Sequence, residues 1–159
     1  MSEKVVSLEN LKALIEPLRR NGKKIVFTNG CFDLLHVGHV RSLEAARALG
    51  DLLVVGLNSD NSVARLKGPD RPIVEESHRS EVLAALACVD YIVVFSEDDP
   101  LKLITAVKPD VLVKSADWDP KMIIGRDIVE ARGGIVTSTP EVGGISSTIL
   151  IQRIQNLLQ

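Results

Sequence analysis

Lys24-Ile25-Val26-Phe27-Thr28, closed by Asn29-Gly30, is an apolar, β-branched run of strand length without polar alternation. A strand of that kind is buried on both faces. Leu52-Leu53-Val54-Val55-Gly56-Leu57 repeats the pattern, and between them Val40 to Leu49 reads as a helix with its stop signal at Gly50. The alternation continues. Glu75 to Cys88 is helical, Tyr91-Ile92-Val93-Val94-Phe95 is a third strand, and Asp99-Pro100 offers an N-cap and an N1 proline for a helix through about Val107. Val111-Leu112-Val113 is a fourth strand. Asp119-Pro120 repeats the cap for a helix ending at Gly133-Gly134, Ile135-Val136-Thr137 is a fifth strand, and Ser146 to Leu158 is a last helix. An amphipathic helix from about Leu8 to Arg19 precedes them all. Doubly apolar strands separated by helices predict an α/β class: a Rossmann-like, doubly wound, five-stranded parallel sheet in a single domain, with ligands at the carboxyl ends near the switch in strand order. The expected division is an N-terminal helix over 1–21 and the α/β domain over 22–159. The glycine- and proline-rich stretch Lys67-Gly68-Pro69-Asp70-Arg71-Pro72 reads as a mobile loop.

The 159 residues carry a net charge of −2, and aromatic residues make up 3%. That balance gives no footprint for nucleic acid, either as a basic surface or as stacking platforms. Two cysteines, Cys31 and Cys88, without CxxC or Cys/His spacing, exclude a disulfide framework and a zinc ribbon. No apolar run approaches the roughly 20 residues of a membrane helix, and Met1 to Asn10 lacks the apolar core of a signal peptide. A cytoplasmic protein with a small anionic ligand is expected.

The first strand leads into neither a dinucleotide fingerprint nor a P-loop. It leads into Cys31-Phe32-Asp33-Leu34-Leu35-His36-Val37-Gly38-His39. Two histidines around a glycine at a helix start admit three readings: helix capping, metal ligation by Asp33, His36 and His39, or recognition of a phosphate by paired imidazoles. Metal ligation lacks a further strong ligand, since the remaining histidine is His78. Gly143-Gly144-Ile145-Ser146-Ser147-Thr148 precedes the last helix, and three hydroxyls after a double glycine exceed what an N-cap needs. A cradle for a polyphosphate at the helix N-terminus is more economical.

His36-Val37-Gly38-His39 and Ile145-Ser146-Ser147-Thr148 match the HxGH and ISSTxx motifs, and on them the chain resembles the nucleotidyltransferase superfamily, in its cytidylyltransferase-like group. Thr28 to Asp33, Asn58-Ser59-Asp60, Arg65-Leu66-Lys67-Gly68 with Arg71-Pro72, and Asp117-Trp118 make it most similar to bacterial D-glycero-β-D-manno-heptose 1-phosphate adenylyltransferases. The similarity runs over roughly residues 22 to 155. It implies an adenylyltransferase that moves AMP from ATP to the sugar 1-phosphate, releasing pyrophosphate and giving ADP-heptose for lipopolysaccharide core synthesis. It also implies a homodimer and a separate sugar kinase upstream. Glu141-Val142-Gly143-Gly144 stands where cytidylyltransferases carry Arg-Thr-Glu-Gly, which favours ATP over CTP. The alternatives are a CTP-dependent enzyme for a polyol or amino-alcohol phosphate such as glycerol phosphate, and a non-catalytic nucleotide-binding domain.

Catalytic roles are expected for His36, His39 and Lys67. Nucleotide contacts are expected from Thr28, Asn29, Gly30, Phe32, Gly38, His39, Gly144, Ser146, Ser147 and Thr148. Substrate contacts are expected from Asp33, Arg79, Lys114, Asp117 and Trp118. Each of four has a plainer alternative: a solvated loop lysine for Lys67, a surface arginine for Arg79, a turn cap for Asp33 and a plug at the sheet edge for Trp118. Mg²⁺ is expected to be held mainly by the triphosphate, with no protein metal ligands. Where this family's pattern has glycine, position 115 is Ser115, whose side chain would narrow the site or strain the backbone.

Overall fold

The computed structural model describes residues 2–115, 119–140 and 142–158. Five strands, β1 (Ile25–Gly30), β2 (Leu52–Asn58), β3 (Tyr91–Phe95), β4 (Val111–Ser115) and β5 (Ile135–Thr139), form one parallel sheet in the order β3-β2-β1-β4-β5. The expected fold class is therefore the observed one. Alternate residues of β1 feed opposite layers. Ile25 and Phe27 join a cluster with Leu11 and Ile15 of α1 (Leu8–Arg20) and Leu103, Ile104 and Val107 of α5 (Leu101–Val107). Val26 faces Leu43 and Ala46 of α2 (Val37–Arg47) and Leu83 and Ala84 of α4 (Glu76–Ala84). Helix α1 thus shares the core of the sheet rather than standing apart from it.

Three aspartates pin the amino ends of the strands. Asp51 accepts from Lys24 N at 2.8 Å, Asp110 from Ile25 N at 2.8 Å, and Asp90 from Leu53 N at 2.8 Å. The carboxyl ends are freer. Strand β1 pairs with β2 through Gly30, and β4 pairs with β5 through Ser115, yet β1 and β4 pair only at Val26–Val111 and Phe27–Leu112. Beyond that point the two central strands part, and a crevice opens at the switch in strand order.

Several sequence expectations shift. Helix α3 (Asp60–Lys67) was not anticipated: a short polar stretch, it is started by Ser59, whose hydroxyl accepts from Ser62 N at 3.2 Å. Lys67 therefore ends a helix instead of opening a loop. The expected helix from Asp119 to Gly133 is broken into a 3-10 turn (Pro120–Met122) and α6 (Arg126–Ala131), with Asp119 capping only the first. Pro100 is the N-cap residue of α5 instead of its first helical residue, while Asp99 accepts from Leu101 N at 2.8 Å. Among the described residues, no helix is long and apolar enough to cross a membrane.

Candidate active site

A cleft of about 640 Å³ lies over the parted ends of β1 and β4, the size of a small-ligand site. Its walls come from the ends of β1, β2, β4 and β5, the segment Asp98–Pro100 that follows β3, the head of α2, Lys67 at the end of α3, and the start of α7 (Ser147–Leu157).

His36 is the N-cap of α2, with extended backbone, so the histidines meet through cap geometry and not through helical spacing. Its Nδ1 accepts from Gly38 N at 3.2 Å, which leaves the ring proton on Nε2. The imidazole then stacks on His39, ring centroids 3.9 Å apart at 27°. The buried Nδ1 of His39 has no hydrogen-bond partner. With Nδ1 closed off from partners, Nε2 is the ring nitrogen of His39 left to meet a ligand. Burial, His36 and the charge of Lys67 together push the His39 pKa down to about 4, and burial lowers that of His36. The pair consists of two neutral imidazoles, each with its Nε2 left to meet a ligand. The capping reading holds for His36 through one nitrogen, leaving the other available.

Gly38 was expected to let the backbone approach a phosphate. It also makes room for His36: a Cβ there would lie 2.9 Å from Nδ1 and Cε1 of that ring. Gly38→Ala is expected to displace the imidazole and lower kcat by about 10²-fold. Its thermal midpoint should stay near wild type, because alanine is the better helix former. Steady-state kinetics beside thermal unfolding checks this.

At the opposite wall, Ser146 caps α7, accepting from Ile149 N at 3.1 Å, and Ser147 donates its hydroxyl to Leu34 O at 3.1 Å. Two of the three hydroxyls are thus partly committed, one to the helix and one to tying α7 to the loop that carries the histidines. Ser146, Ser147 and Thr148 all line the cleft, together at the N-terminus of the helix, where N–H groups lack helical partners. Gly144 enters this turn with φ +80°, a conformation glycine accepts without cost.

Arg79 is not a substrate contact. Its side chain has no exposure, and it donates to Val74 O (2.8 Å), Cys31 O (2.6 Å), Asn58 O (2.8 Å) and Asp60 Oδ1 (2.7 Å). It clamps the ends of β1 and β2 to α3 and α4 from below the cleft. Asp33 lines the cleft and is also anchored in the protein. Its carboxylate accepts from Arg71 Nε at 2.6 Å and from Ile73 N and Val74 N at 2.8 and 2.9 Å. Burial raises its pKa, but the two N–H groups and the guanidinium outweigh that and hold it below the ordinary carboxylate value. Asp33 thereby fastens the segment read as mobile, and it is not part of a metal set with the histidines. Among the described residues no group of three His, Cys, Asp or Glu could hold a metal ion.

Lys67 lines the cleft close enough to lower the His39 pKa, and has no carboxylate partner among the described residues. Lys114 Nζ donates to Asn29 Oδ1 at 2.5 Å across the parted strands, and Thr28, Asn29 and Gly30 line the floor. The ring of Phe32 packs on His39 with centroids 5.3 Å apart. Ser115 is not among the described residues with positive φ, so its side chain strains nothing. Asp117 and Trp118 lie outside the described residues. Sequence reasoning missed Asn58, Asp98, Asp99, Ser42 and Thr139; the last two join α2 to β5 through their hydroxyls at 2.6 Å. Asn58, Asp98, Asp99 and Thr139 all stand at or just beyond a strand's carboxyl end, which was the available signal.

A β3-β2-β1-β4-β5 parallel sheet, with paired histidines at one helix head facing a second helix head across the switch point, defines a nucleotidyltransferase. The chain belongs to the cytidylyltransferase-like family, whose model matches residues 27–153. It is 57% identical over 146 residues to the bifunctional protein HldE of Syntrophotalea carbinolica, covering 92% of this chain. The chain spans about 30% of the length of that relative. The lipopolysaccharide core biosynthesis protein of Thermoplasma volcanium has a solved structure similar to this one, with a TM-score of 0.64 and 28% identity, covering 76% of this chain and 99% of that one. Pantothenate synthetase of Thermus thermophilus shares the fold at a TM-score of 0.61 and 16% identity, over 87% of this chain and 62% of that one.

Proposed function

We propose that this chain transfers AMP from ATP to D-glycero-β-D-manno-heptose 1-phosphate, releasing pyrophosphate and forming ADP-heptose. The observation that carries the reading is the stacked, neutral His36–His39 pair at the head of α2. The similarity to bifunctional HldE and to the lipopolysaccharide core protein supports the choice of sugar.

A phosphate oxygen of the sugar attacks the α-phosphorus of ATP in line, and the bond to the β-phosphate oxygen breaks. The nucleophile is already an anion above its second pKa of about 6, so no general base is required. The work is positioning and charge stabilisation. The Nε2–H groups of His36 and His39 donate to the α-phosphate and its bridging oxygen, and neutral donors do so without proton transfer. The N–H groups of Ser147 and Thr148, with the Thr148 hydroxyl, hold the β- and γ-phosphates at the positive end of α7. Lys67 closes on the same oxygens. Lys114, oriented by Asn29, meets the sugar phosphate. A dimer of such chains and a kinase supplying the sugar 1-phosphate complete the proposal.

A divalent ion accompanying ATP would be held mainly by the triphosphate and water, and among the described residues no group of three His, Cys, Asp or Glu competes for it. Bound there, Mg²⁺ supplies neutralisation of the phosphate charge. EDTA is expected to abolish turnover, excess Mg²⁺ to restore it, and the thermal midpoint of the free protein to stay unchanged in both. A fall in that midpoint on chelation would place a structural metal in the protein.

The pH profile follows from neutral histidines. Because kcat/KM reports free enzyme and free substrate, it should rise through about pH 6 as the sugar phosphate loses its second proton. It should then stay level to pH 8. A required imidazolium would instead make kcat/KM fall as pH rises past about 6.5.

Pyrophosphate release, measured with ATP and CTP against heptose 1-phosphate, other sugar 1-phosphates and glycerol 3-phosphate, tests the assignment. Turnover is expected with ATP and the heptose phosphate. Turnover confined to CTP, or to a polyol phosphate, would overturn it.

A further inference from the structure

We propose that Phe32 is a positioning residue for His39: its ring, seated against Gly30, fixes the direction in which that imidazole presents Nε2. The inference rests on the reading of His39 as a phosphate donor and names what aims it.

An active-site imidazole is ordinarily oriented by a hydrogen bond from its other ring nitrogen. His36 has one, from Gly38 N at 3.2 Å. His39 has none, since its Nδ1 is buried and unpartnered. Among the described residues only packing can aim it, and two rings touch it: His36, stacked at 3.9 Å, and Phe32, tilted at 59° with centroids 5.3 Å apart, within the separation at which aromatic rings attract one another.

Phe32 also packs against the end of β1: a Cβ on Gly30 would lie 3.0 Å from Phe32 Cε2, close enough that an alanine there would push the ring by a few tenths of an ångström. The backbone at Phe32 has φ +45°, which a bulky side chain rarely adopts. The other described non-glycine residue with positive φ, Lys108, is the left-handed cap ending α5, an ordinary use of that conformation. Phe32 caps no helix. A costly backbone kept at a site is explained by what its side chain does there. Glycine, phenylalanine, two imidazoles and a second glycine form one packed row, with Gly30 and Gly38 bounding it at either end. The groups whose charge acts on His39 in this row are His36 and Lys67, while the nearby Asp33 carboxylate is taken up by Arg71.

Phe32→Leu keeps an apolar side chain and removes the ring face. Its kcat for pyrophosphate release is expected to fall about 10- to 100-fold, with KM for ATP little changed. In proton NMR the His39 titration should move from about pH 4 toward the ordinary imidazole range. A merely structural role would lower the thermal midpoint and leave the titration of the folded protein where it was. Gly30→Ala, which pushes the Phe32 ring, should reproduce both changes with Phe32 still in place. In the wild-type protein, cross-peaks between the Phe32 and His39 ring protons should be present and persist with ATP. Unchanged kcat and titration in either variant, or missing cross-peaks, would overturn the proposal. If the wild type turned over no substrate, the proposed function would fail while the cross-peaks and titration still decided the role of Phe32.

Discussion

Replacing His36 by asparagine is expected to lower kcat by about 10²–10³-fold while ATP binding changes little, and His39→Gln should do the same. The choice of asparagine matters. His36 both caps α2 and presents Nε2–H, and an alanine would remove the cap as well, at about 0.5–2 kcal/mol of stability. Asparagine is among the best N-caps, so it keeps the helix start and deletes only the imidazole. Catalysis by such donors depends on interactions that strengthen as charge builds on the α-phosphate, so their loss appears in kcat rather than in KM. The double variant should lose less than the product of the two single losses, because the rings stack and aim one another. Single-turnover kinetics beside calorimetric ATP titration separates the effects. A loss confined to KM would make the histidines binding groups alone.

The second large effect concerns the scaffold. Arg79→Met is expected to destabilise the protein by about 3–5 kcal/mol, the cost of removing one partner from a buried charged network. It would strand the carbonyls of Cys31, Asn58 and Val74 and leave Asp60 Oδ1 with only the N–H of Glu76. Cys31 follows β1 and Asn58 ends β2, so the floor of the cleft should loosen too. Urea unfolding gives the stability change. Activity per folded molecule tells whether the clamp also shapes the site. A change below about 1 kcal/mol would mean that water replaces the guanidinium and that Arg79 is no clamp.

Apolar runs such as Ile25–Phe27 and Leu52–Leu57 announced the sheet because burial on both faces leaves a continuous pattern that needs no tertiary information to read. The position of the cleft followed from parallel topology in the same way. His36, His39 and the Gly143–Thr148 segment were legible because glycine, imidazole and hydroxyl groups cluster where two helices begin. The contacts that Arg79 and Asp33 make within the protein were hidden in the sequence for one shared reason. A charged side chain beside a site looks the same in sequence whether it faces the ligand or the protein, and only the partners decide. Those partners, Val74, Cys31 and Asn58 for one and Ile73 with Val74 for the other, are backbone groups brought in from distant segments. Helix α3 was missed because Asp60–Lys67 buries only Ser62 and Val63, too little to set an apolar period. At Gly38 the sequence could not show a further demand on its space, since the neighbour that a Cβ would meet is a side chain two residues away.

The most direct test of the central claim follows the oxygen atoms. Heptose 1-phosphate carrying ¹⁸O in its phosphate is incubated with ATP, Mg²⁺ and the protein, and the products are resolved by mass spectrometry. Attack by the sugar phosphate on the α-phosphorus predicts ADP-heptose that retains all of the label, and pyrophosphate that contains none. Labelled pyrophosphate, or AMP and unreacted sugar phosphate in place of ADP-heptose, would contradict it.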